Sequence, residues 1–162
     1  MKQKKQIVIL SAVCLVCVVC MVSALTVGRK TVVQFAPPPF EATAIAGVPE
    51  NVPNASYGAL NTTAYSLSAC GQPTVTDGTV QLWLTNPSDN KVLLKMRILD
   101  MEGTLLGESG LLRPGEYVQG VALSTPITED TDIILLIMAY EPETYHSAGN
   151  IKLQTTLVVG NE

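Results

Sequence analysis

Few residues in this chain of 162 could do chemistry, and none falls in a spacing that completes a reaction centre. Nucleophilic catalysis needs a thiol or hydroxyl beside a base, and the only histidine is His146. A Cys–His dyad would pair it with Cys70, with Glu141 or Glu143 orienting the imidazole. Neither Ala69-Cys70-Gly71 nor Tyr145-His146-Ser147 offers a helix N-terminus to lower a thiol pKa. Cys70 therefore reads as a buried thiol and His146 as a solvated loop residue, which leaves a thiol enzyme as the remotest reading. A lone histidine also excludes a multi-histidine metal centre. Carboxylates gather at Glu129, Asp130 and Asp132 and again at Glu141 and Glu143, in short loops of the kind that hold calcium weakly outside cells. They lack the twelve-residue calcium-loop pattern and read as solvated. P-loop, GxSxG and HExxH patterns are missing, as is CxxC beyond residue 30. No catalytic residue, cofactor or metal ligand is expected.

The side chain best suited to making a contact is the single tryptophan, Trp83. Residues 79–85 and 91–99 alternate apolar and polar side chains around Asn86-Pro87-Ser88-Asp89-Asn90, a turn-rich segment that predicts a hairpin. Val80, Leu82 and Leu84 then share a core face with Val92, Leu94, Met96 and Ile98. Setting Thr85 opposite Lys91 puts Trp83 opposite Leu93 and Gln81 opposite Lys95, all on the outer face. There Trp83 is either a lid packed by Leu93 and residues 104–112 or an exposed aromatic anchor for a protein partner or glycan. Trp83, Leu93, Tyr145 and His146 form the candidate contact set.

The elements that must position these residues lie in two solvents. Hydrophobic residues make up 47% of the chain and charged ones 15%, too apolar for disorder. Residues 7–27 carry no charge, proline or glycine. As a helix they would extend about 31 Å, enough to span a bilayer core. Lys2, Lys4 and Lys5 precede the run and Arg29 and Lys30 follow it, which favours an N-in, C-out single-pass anchor. The alternative is a signal peptide cleaved near Val22-Ser23-Ala24, giving a secreted product. Cys14, Cys17 and Cys20 read as small apolar residues within that run. Past residue 30, five basic residues stand against fourteen acids, a net charge of −9. That balance repels polyanions and excludes nucleic acid as a partner. Cys70 is the one thiol left there, so a disulfide could form only between copies, in a homo-oligomer.

Residues 31–60 hold Pro37, Pro38, Pro39, Pro49 and Pro53, a composition that predicts a spacer, stiff at the three consecutive prolines and looser beyond. Period-two alternation broken every eight to twelve residues begins near Asn61. It predicts strands over 63–69, 79–85, 91–99, 104–108, 116–123, 132–140 and 151–159. Residues 132–140 are apolar on both faces, as in a central strand. Asp100-Met101-Glu102-Gly103 predicts a tight return, and Arg113-Pro114-Gly115-Glu116 places Pro and Gly for a type II turn. The expected fold is all-β, a seven-stranded immunoglobulin-like β-sandwich over residues 61–162. The expected organisation puts the basic tip and anchor at 1–30 and the spacer at 31–60 before it.

Three stretches carry a resemblance: Val80-Gln-Leu-Trp-Leu-Thr-Asn-Pro through Lys95-Met-Arg-Ile-Leu-Asp, then Gly-Leu-Leu-Arg-Pro-Gly-Glu116, and Met138-Ala-Tyr-Glu-Pro-Glu143. With them residues 61–159 resemble uncharacterised membrane-anchored β-sandwich proteins of Gram-positive gut bacteria. The resemblance implies an envelope-facing accessory domain and brings no catalytic residues. The leading expectation is a non-enzymatic binding or assembly module tethered to the cell membrane, its domain extracytoplasmic and its partner an envelope protein. The competing expectation is a solute- or glycan-binding domain that uses Trp83. An exposed Trp83 flanked by polar donors favours the second, and a buried one favours contacts through a sheet edge or loops.

Overall fold

The computed structural model describes residues 15–17, 21 and 35–160. The chain divides into two compact units, Met1–Ala36 and Pro37–Glu162. Among the described residues no helix is long and apolar enough to cross a membrane. Most of the anchor expected over 7–27 lies outside the described residues; residues 15–17 and 21 are helical.

The second unit is all-β. Ten strands follow in order: β1 (Ile45–Ala46), β2 (Tyr57–Asn61), β3 (Ser66–Cys70), β4 (Thr74–Thr76), β5 (Thr79–Asn86), β6 (Leu93–Leu99), β7 (Leu105–Glu108), β8 (Glu116–Ala122), β9 (Thr131–Tyr140) and β10 (Ser147–Val159). Each of the seven expected strands has a counterpart, and β1, β2 and β4 are additional. The strands pair in the order β1-β8-β5-β4-β10-β9-β6-β7, with β3 beside β5 and β2 beside β3. One sheet thus curls into two layers, β6, β7, β9 and β10 against the rest. A short parallel pairing joins them, Val158 with Thr74 and Val159 with Val75.

Alternation decides what the layers bury. Val80, Leu82 and Leu84 of β5 meet Leu94, Met96 and Ile98 of β6 and Ile133, Leu135, Ile137 and Ala139 of β9 in one apolar core. Each fully buried Leu or Ile contributes about 1.5–3 kcal/mol by leaving water. The expected core faces of β5 and β6 are correct, but the expected hairpin between them does not form. β5 pairs with β3, β4 and β8, whereas β6 pairs with β7 and β9. Residues 87–92 instead carry the chain from one layer to the other. Buried amides hold that crossing. Asn86 Nδ2 donates to the carbonyls of Val92 (2.9 Å) and Leu112 (3.0 Å), and Asn90 Nδ2 donates to Asn86 Oδ1 (2.6 Å) and to the carbonyl of Ser66 (2.6 Å). These side chains replace the ladder bonds that a hairpin would have made. Gln81 therefore lies opposite Thr74 and Gly120, and Leu93 opposite Tyr140.

Two expected turns form. Glu116 N donates to the Arg113 carbonyl at 3.1 Å, with Gly115 at φ 81° in the position a type II turn requires. Gly103 N donates to the Asp100 carbonyl at 3.1 Å and returns β6 into β7.

The residues expected to form a spacer contribute to the domain from Pro37 onward. β1 pairs with β8 and β2 with β3. Phe40 and Leu111 form a bridge, the Arg113 guanidinium lies 3.8 Å from the Phe40 ring centroid, and Glu41 accepts from Gly110 N at 2.6 Å. Gly110 permits this approach, since a Cβ there would collide with the Glu41 backbone. Burial pushes the Glu41 carboxyl up, but hydrogen bonds from Thr43 and from the Gly110 N–H outweigh it and hold it below its ordinary value.

Candidate functional site

A groove of about 520 Å³ opens where two interruptions of the sheet coincide. The first lies between β3 and β4. Both run antiparallel to β5, β3 meeting it at Thr85 and β4 at Thr79 to Gln81, but Gly71-Gln72-Pro73 between them makes no ladder. Pro73 has no N–H to offer, and its carbonyl accepts from Val158 N at 3.0 Å. The second is a bulge on β5. Gln81 pairs with Gly120 and Leu84 with Val118, so Leu82 and Trp83 together face the single residue Gln119.

Trp83 sits in that bulge with φ 52°, in the left-handed region. A large side chain there is a strained exception costing about 1–3 kcal/mol, held in place by its surroundings. The bulge redirects the indole, which stacks on Tyr117 of the neighbouring strand with ring centroids 6.1 Å apart and planes 15° from parallel. Trp83 is partly buried and lines the groove.

Around it stand Gln72, Thr74, Thr76 and Gln81, with Asn54 at the rim. Pro53, Ala55 and Val158 fill the spaces between, and no lining residue is charged. One wall is tied by a compact network. Asn54 Oδ1 accepts from Ser56 N (2.9 Å) and Ser56 Oγ (2.6 Å), Asn54 Nδ2 donates to the Gln72 carbonyl (2.9 Å), and Gln72 N donates to Ser56 Oγ (2.9 Å). This fixes the 71–73 break against the turn before β2. By contrast, among the described residues the side chains of Gln72, Thr74, Thr76 and Gln81 make no hydrogen bond. The groove combines a braced wall, an aromatic surface and uncommitted amides and hydroxyls.

The other expected contact residues lie elsewhere. Leu93 is buried on β6 opposite Tyr140 and is unavailable for contact. It does not pack Trp83, whose ring partner is Tyr117. Tyr145 and His146 belong to the tight loop between β9 and β10, where Tyr145 has φ 56° and Glu141 N donates to the His146 carbonyl at 2.9 Å. His146 is exposed, and neither residue lines the groove. Cys70 is fully buried at the end of β3, and burial pushes its thiol up to about 11. It is therefore protonated at neutral pH and a poor nucleophile.

The carboxylates serve the fold. Asp130 Oδ1 accepts from Val159 N at 2.9 Å and Asp132 Oδ1 from Thr156 Oγ1 at 2.8 Å, pinning β10. Among the described residues no group of three or more His, Cys, Asp or Glu is placed to hold a metal ion. On the outer side of β6, Lys95 Nζ lies 2.9 Å from Glu108 Oε1 and Arg97 Nε 3.0 Å from Oε2. Burial pushes the Glu108 carboxyl up, but these two cations prevail and hold it below its ordinary value.

Sequence reasoning singled out Trp83 but did not place Asn54, Gln72, Thr74 and Thr76 beside it. A usable signal was present. Asp77-Gly78 is the residue pair of a two-residue type I′ hairpin, and both have positive φ, 50° and 70°. It sets Thr74 opposite Gln81 and Thr76 opposite Thr79.

No protein-family model matches the chain, and no curated protein does. Among solved structures, the chain is similar to CopC from Methylosinus trichosporium OB3b, at 16% sequence identity and a TM-score of 0.34. That likeness covers 56% of this chain and 87% of the other.

Proposed function

We propose that this chain is a non-enzymatic binding domain, tethered to the cell membrane by its N-terminal apolar run and working outside the cytoplasm, with the groove at Trp83 as its contact surface. The observation that carries this reading is the groove itself. An aromatic ring held at a strained backbone position is flanked by Gln72, Thr74, Thr76 and Gln81, whose side chains make no hydrogen bond among the described residues. Such an outlier is retained when the arrangement it creates is used. The partly open, donor-flanked Trp83 favours the solute- or glycan-binding reading over the assembly module. In this reading the anchor raises the effective concentration of the domain near membrane-proximal ligands.

The second reading, assembly with an envelope protein or another copy of this chain, draws on β10. From Ser147 to Leu157 that strand is laddered to β9 alone among the described residues, which suits addition of a partner's strand. A photoreactive residue placed at Thr76 in the groove, or at exposed Lys152 on β10, in intact cells producing the full chain separates the two. Capture at Thr76 is the expected result, and capture confined to Lys152 would favour assembly. Protease added outside the same cells should digest the domain, and protection of the domain would remove the extracytoplasmic assignment.

A further inference from the structure

The geometry points to an uncharged carbohydrate as the ligand of the Trp83 groove, one pyranose ring lying against the indole that lines it; this inference rests on the binding reading above. Three features select that class. The lining has no ionisable group, so a charged ligand would lose hydration with no counter-ion to receive it. The acidic balance of the exported part adds repulsion for anions. A purely apolar ligand would cover the side chains of Gln72, Thr74, Thr76 and Gln81 and leave them unsatisfied, at a cost that works against binding.

What remains is a ligand with an apolar face and a polar edge. Each glutamine amide offers a donor and an acceptor in one plane, and each threonine hydroxyl both donates and accepts. Sugar hydroxyls need the same mixture. The axial and ring C–H groups of a pyranose form a flat apolar face that fits an indole, while its equatorial hydroxyls point outward in the ring plane toward Gln81 and Thr74, which face each other across β5 and β4. The Asn54–Ser56–Gln72 network holds the opposite wall before the ligand arrives, which lowers the ordering cost of binding. The groove volume of about 520 Å³ accommodates a short oligosaccharide rather than a monosaccharide alone.

The chain contains one tryptophan, so its emission reports on this site without interference. Full-length protein in detergent micelles is titrated with neutral tetraoses of glucose (β-1,4 and α-1,4), mannose and N-acetylglucosamine. Oligogalacturonate, glucosamine oligomers and a neutral tetrapeptide serve as contrasting probes. At least one neutral tetraose is expected to give a saturable change in Trp83 emission. In calorimetry Trp83→Gly should weaken its affinity about tenfold or more and Gln81→Ala about fivefold, with the β-sheet circular dichroism retained. Saturable binding by only the charged or peptide probes would overturn the carbohydrate class while leaving the groove as a binding site. Neutral sugar that binds Trp83→Gly as tightly as the unaltered chain would overturn the assignment to this groove. Silence from every probe, at millimolar concentration and by both methods, would overturn this inference and the binding reading together.

Discussion

The layer of β6, β9 and β10 and the layer of β3, β4, β5 and β8 are built from similar alternating strands, yet one is the more regular. β6 and β9 keep one register from Leu93–Tyr140 to Leu99–Ile134, and β9 and β10 keep theirs from Gly149–Ala139 to Leu157–Thr131. The opposing layer is broken twice at one level, by the 71–73 gap and by the Leu82–Trp83 bulge. Its inner face is undisturbed, because Val80, Leu82 and Leu84 stay fully buried. In this second layer the irregularity falls on the outer side, where the groove opens, whereas the shifts of the other layer fall at Ser147–Gly149 of β10 and at Ile98–Leu99 against β7. The regular layer supplies stability, and the irregular one converts part of it into a shaped surface.

Mutation can test that division. The largest effect is expected from Leu135→Ala in the regular layer, which should lower the unfolding free energy by about 2–5 kcal/mol in urea titrations. Asn86→Ala at the crossing between layers should cost about 3 kcal/mol, because it strands the Val92 carbonyl in the interior and takes Asn86 Oδ1 from Asn90 Nδ2, while the Leu112 carbonyl keeps the Leu94 N–H. At the bulge the usual ranking should invert. Trp83→Gly should be more stable than Trp83→Ala by about 1 kcal/mol, since glycine accepts a positive φ that alanine resists. Alanine emerging as the more stable of the two would mean that the bulge relaxes once the indole is gone.

Acid should act on two carboxylates outside the groove. Glu41 and Glu108 both titrate below their ordinary value of 4.5 in the folded chain. Their stabilising contribution is complete above that value and is lost as pH falls through the lowered folded pKa. The thermal midpoint should therefore fall in that acid range, and Glu41→Gln should flatten the profile, while Trp83 emission holds until unfolding. The smallest effect concerns Cys70, whose alkylation at pH 7.5, followed by peptide mapping, should be slow in the native chain and rise on unfolding.

Much of the fold was legible because period-two alternation records which side of a strand meets the core. It marked β5, β6 and β8 to within a residue or two. It could not distinguish a hairpin from a crossing at residues 86–90, since Asn and Asp favour both. The difference lies in whether the two amides face solvent or the interior, and here Asn86 and Asn90 are buried. β1 has two residues, too few for a period. Residues 37–60 were misleading because proline density hides segments that pair at an edge, as at Tyr57–Asn61. Trp83 drew notice by its type and by the alternation that put it on the outer face. Its left-handed backbone and its stacking on Tyr117 arise from a neighbouring strand 34 positions away, which no local window contains.

The two parallel rungs between β4 and β10 join positions that are 84 residues apart. Bringing such distant segments together exacts loop-closure entropy before any reward, which makes folding slow. A growing polypeptide cannot lock the curl until Val158 has been synthesised.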